Sequence, residues 1–183
     1  MCQLVRACGL LGESTRRRSI GVADEPMASV RTATAQDAVT CAAIVAGLSD
    51  FFTDDVPDKV RSDLRDHGGW VIDDADGVVG FAVLQRRGMR AAEILWAAVA
   101  SDRRGAGLGT RLVNHVLGEL SADGVQIVEV KTLDPSASYA PYDATRAFWL
   151  ARGFIQLDTI DPLPGWPPGN PAAILAVALA PTR

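Results

Sequence analysis

A chain of 183 residues with a formal net charge of −4 is long enough to bury one substantial core and has no basic excess. That balance excludes a dedicated nucleic-acid binder, whose affinity rests on a positive surface. No apolar run approaches the ~20 residues needed to cross a bilayer, and Cys2, Cys8 and Cys41 are odd in number without metal-ligand spacing, so they read as reduced thiols of a cytoplasmic protein with no metal site.

Residues 1–26 contain Arg16-Arg17-Arg18 and no periodic apolar face, and Met27 stands directly before the first recognisable strand. The apolar stretch 8–11 is too short for a signal-peptide core, and its charges follow it instead of preceding it. Residues 1–26 therefore read as a loose extension or the product of an upstream start codon, with a mitochondrial-type presequence as the alternative. Residues 27–183 read as one domain.

Within that domain a first strand is predicted at 30–32, and Thr34 with Asp37 forms an N-cap pair for a helix to about residue 48. A second helix follows Pro57, with Val60 and Leu64 on one face, and stops at His67-Gly68-Gly69. Strands 70–72 and 78–85 form a hairpin across Asp74-Ala75-Asp76-Gly77, where Asp-Gly is a strong turn signal. The next strand enters through Glu93 and runs through the apolar residues 94–100 to the polar Ser101-Asp102. Arg103 and Arg104 then lead into Gly105-Ala106-Gly107-Leu108-Gly109, and Leu108, Leu112, Val116 and Leu120 recur at the helical period. A strand at 125–133, a helix at 142–152 and strands at 154–160 and 173–179 complete the domain, with a proline-rich irregular loop at 161–171. This order predicts a mixed α/β sheet.

The arginine-glycine turn carries the chemistry. Glycines at a first helical turn let backbone approach a ligand and leave N–H groups pointing out of the helix start. The helix dipole and the two guanidinium groups favour an anion there, a pyrophosphate being the best match. A dinucleotide-binding oxidoreductase would want Gly-x-Gly-x-x-Gly, but Thr110 occupies the third glycine position.

The pattern Arg104-x-x-Gly107-x-Gly109 after a strand resembles the acetyl-coenzyme A signature of the GNAT superfamily, the GCN5-related N-acetyltransferases. Residues 145–154, TRAFWLARGF, resemble that family's late helix and its Gly-Phe ending, and residues 27–37, MASVRTATAQD, resemble its opening strand and first helix cap. The resemblance implies an α/β (α+β) fold with a mostly antiparallel central sheet flanked by helices. That sheet is splayed between its fourth and fifth strands, and the pantetheine arm lies in the gap.

The cosubstrate implied is acetyl-CoA, its pyrophosphate held by Arg104, Gly105, Ala106, Gly107, Leu108, Gly109 and Thr110. By the same resemblance, a backbone N–H among Ala98, Val99 and Ala100 bonds the thioester oxygen. Glu93 is the candidate base, acting through water, and burial near a pocket raises a carboxyl's pKa toward a useful range. Alternatively it is an ordinary strand-end charge. The family's usual tyrosine acid is replaced here by Trp149, after Phe148, and an indole N–H is no general acid. The asparagine that often bonds the pantetheine arm is replaced by Tyr142, so Tyr142 or Tyr139 becomes the candidate proton donor; packing at the helix start is the other reading of Tyr142.

Asp50, Asp54 and Asp55 form a candidate acidic rim for a cationic amine. Trp96 and Trp149 read as core or pocket lining, Trp166 as a candidate lid, and His67 and His115 as surface residues. The function implied is transfer of an acetyl group from acetyl-CoA to a primary amine (a small molecule, an amino acid or a protein N-terminus) by direct attack in a ternary complex. The alternative is a non-catalytic acyl-CoA-binding module. The expected partner is a small-molecule or peptide amine, with a homodimer left open and no nucleic-acid or membrane partner.

Overall fold

The computed structural model describes residues 28–180; the expectation for residues 1–26, with Cys2 and Cys8, lies outside them. The expected succession of elements is the one observed. It begins with β1 (Ser29–Thr32), α1 (Asp37–Ala46), α2 (Val56–His67), β2 (Gly69–Asp74), β3 (Gly77–Arg86) and β4 (Ala91–Val99). It continues with α3 (Leu108–Ala122), β5 (Ile127–Leu133), α4 (Asp143–Leu150), β6 (Ile155–Ile160) and β7 (Ala172–Ala178).

Differences from the sequence reading lie at element ends. Gln36, not Thr34, stands at the N-cap of α1. Thr34 N–H donates to Asp37 Oδ2 at 2.7 Å, which is one half of the expected cap pair, but the Thr34 hydroxyl donates to the same oxygen at 2.8 Å instead of accepting from a first-turn N–H. Arg31 adds two bonds of 2.8 Å to the same carboxylate, and its guanidinium holds the Asp37 carboxyl well below the usual range. Helix α1 also closes two residues early, where Leu48 N–H turns back to Val45 O. Helix α4 begins only after a short 3₁₀ turn, Ala140–Tyr142.

The seven strands are ordered β1-β2-β3-β4-β5-β7-β6, antiparallel except for the parallel pair β4–β5. Helices α1 and α2 cover one face: Val45, Val56, Val60 and Leu64 pack on Val71, Phe81, Leu95 and Trp96. Helices α3 and α4 cover the other, with Leu112, Val116, Leu120, Phe148 and Trp149 against Ile72, Ile94, Ala97 and Val130. Each such aliphatic side chain contributes ~1.5–3 kcal/mol when fully buried. Among the described residues no helix is long and apolar enough to cross a membrane.

Two irregularities in β4 open the middle of the sheet. Val83 pairs with Trp96 but Leu84 with Ile94, so Leu95 is an extra residue, and both Leu95 and Trp96 face the α1–α2 side. The parallel pairing then covers only Ala91 to Ile94 against Ile127 to Val130. Beyond it the two strands diverge, and β5 continues against β7 as far as Leu133. The sheet is splayed between its fourth and fifth strands.

Candidate active site

The arginine-glycine turn opens α3 without a cap. Gly107 is the N-cap residue, no side chain bonds the first-turn N–H groups, and no acidic residue lies there. Arg111 N–H closes the first intrahelical bond onto Gly107 O at 3.0 Å, which leaves the N–H groups of Leu108, Gly109 and Thr110 without helical partners. Gly105 and Gly107 both have positive φ, 81° and 78°, a conformation that other residues reach only with strain. A Cβ on Gly107 would meet nothing within 4 Å, so the space beside this turn is open. A cleft of about 470 Å³ adjoins it, lined by Asp74, Asp76, Arg103, Arg104, Ala106 and Arg111 among others.

The two arginines have separate tasks. Arg103 is tied to the β2–β3 hairpin, with Nε 3.2 Å from Asp74 Oδ2, a further ion pair to Asp76 and a longer one of 3.9 Å to Asp102. Its charge is matched by carboxylates instead of facing an anion. Arg104 turns back toward the gap, with Nε 3.4 Å from Val99 O and its guanidinium carbon 5.0 Å from the Phe51 ring centroid.

The β3–β4 register narrows the backbone candidates. Ala100 N–H donates to Val79 O at 2.9 Å, so its proton is engaged with β3. Hydrogen-bonded and non-hydrogen-bonded pairs alternate along an antiparallel ladder. Ala98, opposite Phe81, therefore also bonds β3, while Val99, opposite Gly80, turns its N–H and C=O toward the gap. By the same alternation Ala97 turns that way too, a residue the sequence reading left out. Across the gap, Leu133 O accepts a 3.0 Å bond from Arg146 of α4 instead of a strand partner.

Glu93 differs from expectation in its charge state. Its carboxylate is fully buried and contacts Lys131 Nζ at 2.8 Å and Arg87 Nε at 2.7 Å, with Lys131 also bonding Glu129 opposite on β5. Burial, the largest single effect, pushes the carboxyl up, but the Lys131 ammonium and Arg87 guanidinium together outweigh it, and its pKa lies below the ordinary value. Along an extended strand at ~3.3 Å per residue, Ala97 is roughly 13 Å and Val99 roughly 20 Å from Glu93.

Tyr142 is buried at the start of α4, on the α1–α2 side. Its hydroxyl donates to Phe51 O at 2.7 Å and its ring meets Phe51 edge-on at 5.4 Å, so Phe51 lies between Tyr142 and Arg104. Tyr139 donates to Asp50 O at 3.1 Å. Thus Tyr142 and Arg104 both meet Phe51, and Arg104 also reaches Val99 O. Glu93 lies up the strand from them.

Asp50, Asp54 and Asp55 are exposed as a rim, though Asp55 is paired with Lys59 at 2.6 Å. Trp96 is buried and donates to Asp63 at 2.6 Å, and Trp166 is buried in the α1–α2 core, a packed residue where a lid was expected. His67 is exposed and His115 half-buried.

Several buried polar atoms on the α3–α4 side lack partners. Trp149 Nε1 and Thr132 Oγ1 are buried without a hydrogen bond, as is Nε of Arg152. Val128 and Val130 face α3 and α4, so Thr132 does as well by strand alternation. Arg146 lies one helical turn before Trp149, which sets this part of α4 against the end of β5. An unsatisfied buried donor costs about 1–3 kcal/mol. A ligand carrying amides and phosphates fits this set: acceptors for the N–H groups of Trp149 and the α3 turn, and an extended arm for the gap. Arg152 is the functional candidate the sequence reading missed; its place directly before Gly153-Phe154 was the available signal.

A family model described as Acetyltransferase (GNAT) domain matches residues 65–156. No curated protein matches the chain. Among solved structures, a GNAT-family acetyltransferase from Desulfovibrio desulfuricans superposes with TM-score 0.72 at 20% identity, covering 84% of this chain and 99% of that one. The ribosomal-protein-S18-alanine N-acetyltransferase of Escherichia coli gives 0.66 at 19%, covering 86% and 97%. A GNAT-family acetyltransferase of Elizabethkingia anophelis with acetyl-CoA bound gives 0.65 at 15%, covering 83% and 98%. These likenesses are of fold, and the matched family model spans the hairpin, the splayed strands, the arginine-glycine turn and α4. The chain belongs to the GNAT family of acetyltransferases.

Proposed function

We propose that this chain transfers an acetyl group from acetyl-CoA to a primary amine by direct attack within a ternary complex. The observation that carries the reading is the opening between β4 and β5 that runs onto the uncapped first turn of α3. Acetyl-CoA supplies the thioester, its pyrophosphate held by the turn from Arg104 to Thr110. The gap-facing N–H groups of Ala97 and Val99 bond the pantetheine arm and the acyl oxygen, where negative charge grows during attack. The amine forms the new C–N bond as the C–S bond breaks, losing one proton while the thiolate gains one. Cys41 is buried and its thiol is pushed up to about 12 by burial, which favours direct attack over a cysteine-bound acyl group among the described residues.

The amine binds on the α1–α2 side, where Asp50, Asp54 and Asp55 favour a cation. Glu93 is ionised at neutral pH and serves as a base only through a chain of water, because Lys131 and Arg87 hold its proton affinity down. Trp149 donates a hydrogen bond but no proton. Tyr142 anchors the α1–α2 loop through Phe51 O, and thiolate protonation falls to solvent. Tyr142→Phe is expected to lose about 1 kcal/mol of stability and raise the amine KM, with kcat within a few-fold. A hundredfold fall in kcat at unchanged KM would instead make Tyr142 the proton donor.

Following thiol release from acetyl-CoA against a broad panel of amines tests the proposal. Turnover is expected with at least one amine class. Tight acetyl-CoA binding without release for any amine would identify a non-catalytic acyl-CoA-binding module.

A further inference from the structure

The guanidinium of Arg152 reaches the first turn of α3 from the far end of α4. It donates to Thr110 Oγ1, donates to Phe148 O at 2.5 Å, and lies 3.3 Å from the centroid of the Phe148 ring. Its Nε is buried without a partner, and among the described residues no carboxylate pairs with it. The Phe148 O contact suits a cation at a helix C-terminus, but the reach to Thr110 does not. That end of α3 carries the positive pole of its dipole, which repels a cation by a few tenths of a kcal/mol or more. A partly buried guanidinium held against a positive helix end, without a counter-ion, is an arrangement that an anion resolves.

The neighbouring cations are otherwise engaged. Arg103 is matched by Asp74 and Asp76, Arg104 leans on Val99 O and Phe51, and Arg111 is exposed, where a charge contributes less. We infer that Arg152 supplies the positive charge that binds the pyrophosphate of acetyl-CoA, its planar fork bridging Thr110 and the phosphate oxygens. Burial alone, with no opposing carboxylate, lowers the Arg152 pKa, in keeping with a charge awaiting its partner. This inference rests on the acetyl-CoA reading above and adds the residue that neutralises the ligand.

The test is calorimetric titration of acetyl-CoA and of its 3′-dephospho derivative into wild type, R152Q, R152M and R152K at two salt concentrations, with thermal melting of each protein. R152Q is expected to bind both ligands about 10- to 100-fold more weakly, with a shallower salt dependence. R152K recovers part of that loss, because it keeps the charge without the planar fork. Arg152→Met keeps an unbranched stem over Phe148 and decides the matter if R152Q does not fold. Unchanged affinity in a folded, charge-neutral variant overturns the inference. So does a loss confined to acetyl-CoA, which would place the charge on the 3′-phosphate. Wild type that binds neither ligand would overturn the acetyl-CoA reading itself.

Discussion

Gly107→Val is expected to weaken acetyl-CoA binding by at least 100-fold while leaving a folded protein. The residue has φ of +78°, which a β-branched side chain adopts only with strain, so a stability loss of about 1–2 kcal/mol accompanies it. No atom lies within 4 Å of the position a Cβ would take, so the fold itself has room for the side chain. The ligand does not. The added methyl groups stand where phosphate oxygens meet the N–H groups of residues 107–110, and losing two charge-assisted bonds at ~1.5–3 kcal/mol each gives two or more decades in Kd. Titration of acetyl-CoA together with thermal melting checks both halves. A folded variant with wild-type affinity removes the pyrophosphate from this turn.

Glu93→Gln should destabilise the protein by at most about 3 kcal/mol at pH 7, because it takes the buried counter-charge from the Lys131 ammonium, only 12% exposed, and leaves it the half-buried Glu129. The half-exposed Arg87 keeps the figure at the lower end of the range for broken buried pairs. The pH dependence has a definite sign. A carboxyl whose folded pKa is depressed contributes stability that is full above the unfolded pKa of ~4.3 and disappears as pH falls through the lower folded value. The gap between wild type and variant in urea unfolding therefore stays constant from pH 8 to 6 and closes below about pH 4. Turnover per folded molecule falls, but its rise above pH 6 keeps its slope, since Glu93 is already ionised there and the slope belongs to the amine. A rise lost in E93Q would show that Glu93 titrates in that range despite its two cations.

The strands and helices were legible because each carries a period that one segment can show. Val60 and Leu64 mark the apolar face of α2, Leu112, Val116 and Leu120 that of α3, and Asp76-Gly77 the hairpin turn. The arginine-glycine turn was equally local, and its positive-φ glycines lie where the pattern put them. What stayed hidden depends on partners distant in sequence. The extra residue Leu95 lies in a run of apolar residues with no alternation to break, so which of residues 97–100 face the gap could not be read. Glu93 meets Lys131 only because β4 and β5 run parallel, and burial without that cation would have raised the carboxyl as expected. Arg103 and Arg104 are adjacent in sequence and equal in charge, yet one is fastened to the hairpin carboxylates and the other leans on Val99 O and the Phe51 ring.

The fastening of Arg103 to Asp74 and Asp76 bears on how quickly and how firmly a ligand is held. A glycine-rich loop ordered only by its ligand would lose its conformational freedom at the moment of binding, at ~1–2 kcal/mol per residue fixed. Here the ion pairs to the hairpin restrain part of that freedom when the chain folds, so that part of the entropy is spent once and not at each encounter. A cradle of this kind captures its ligand as a rigid receptor, and differences in affinity among its variants will be read mainly in how slowly the ligand leaves.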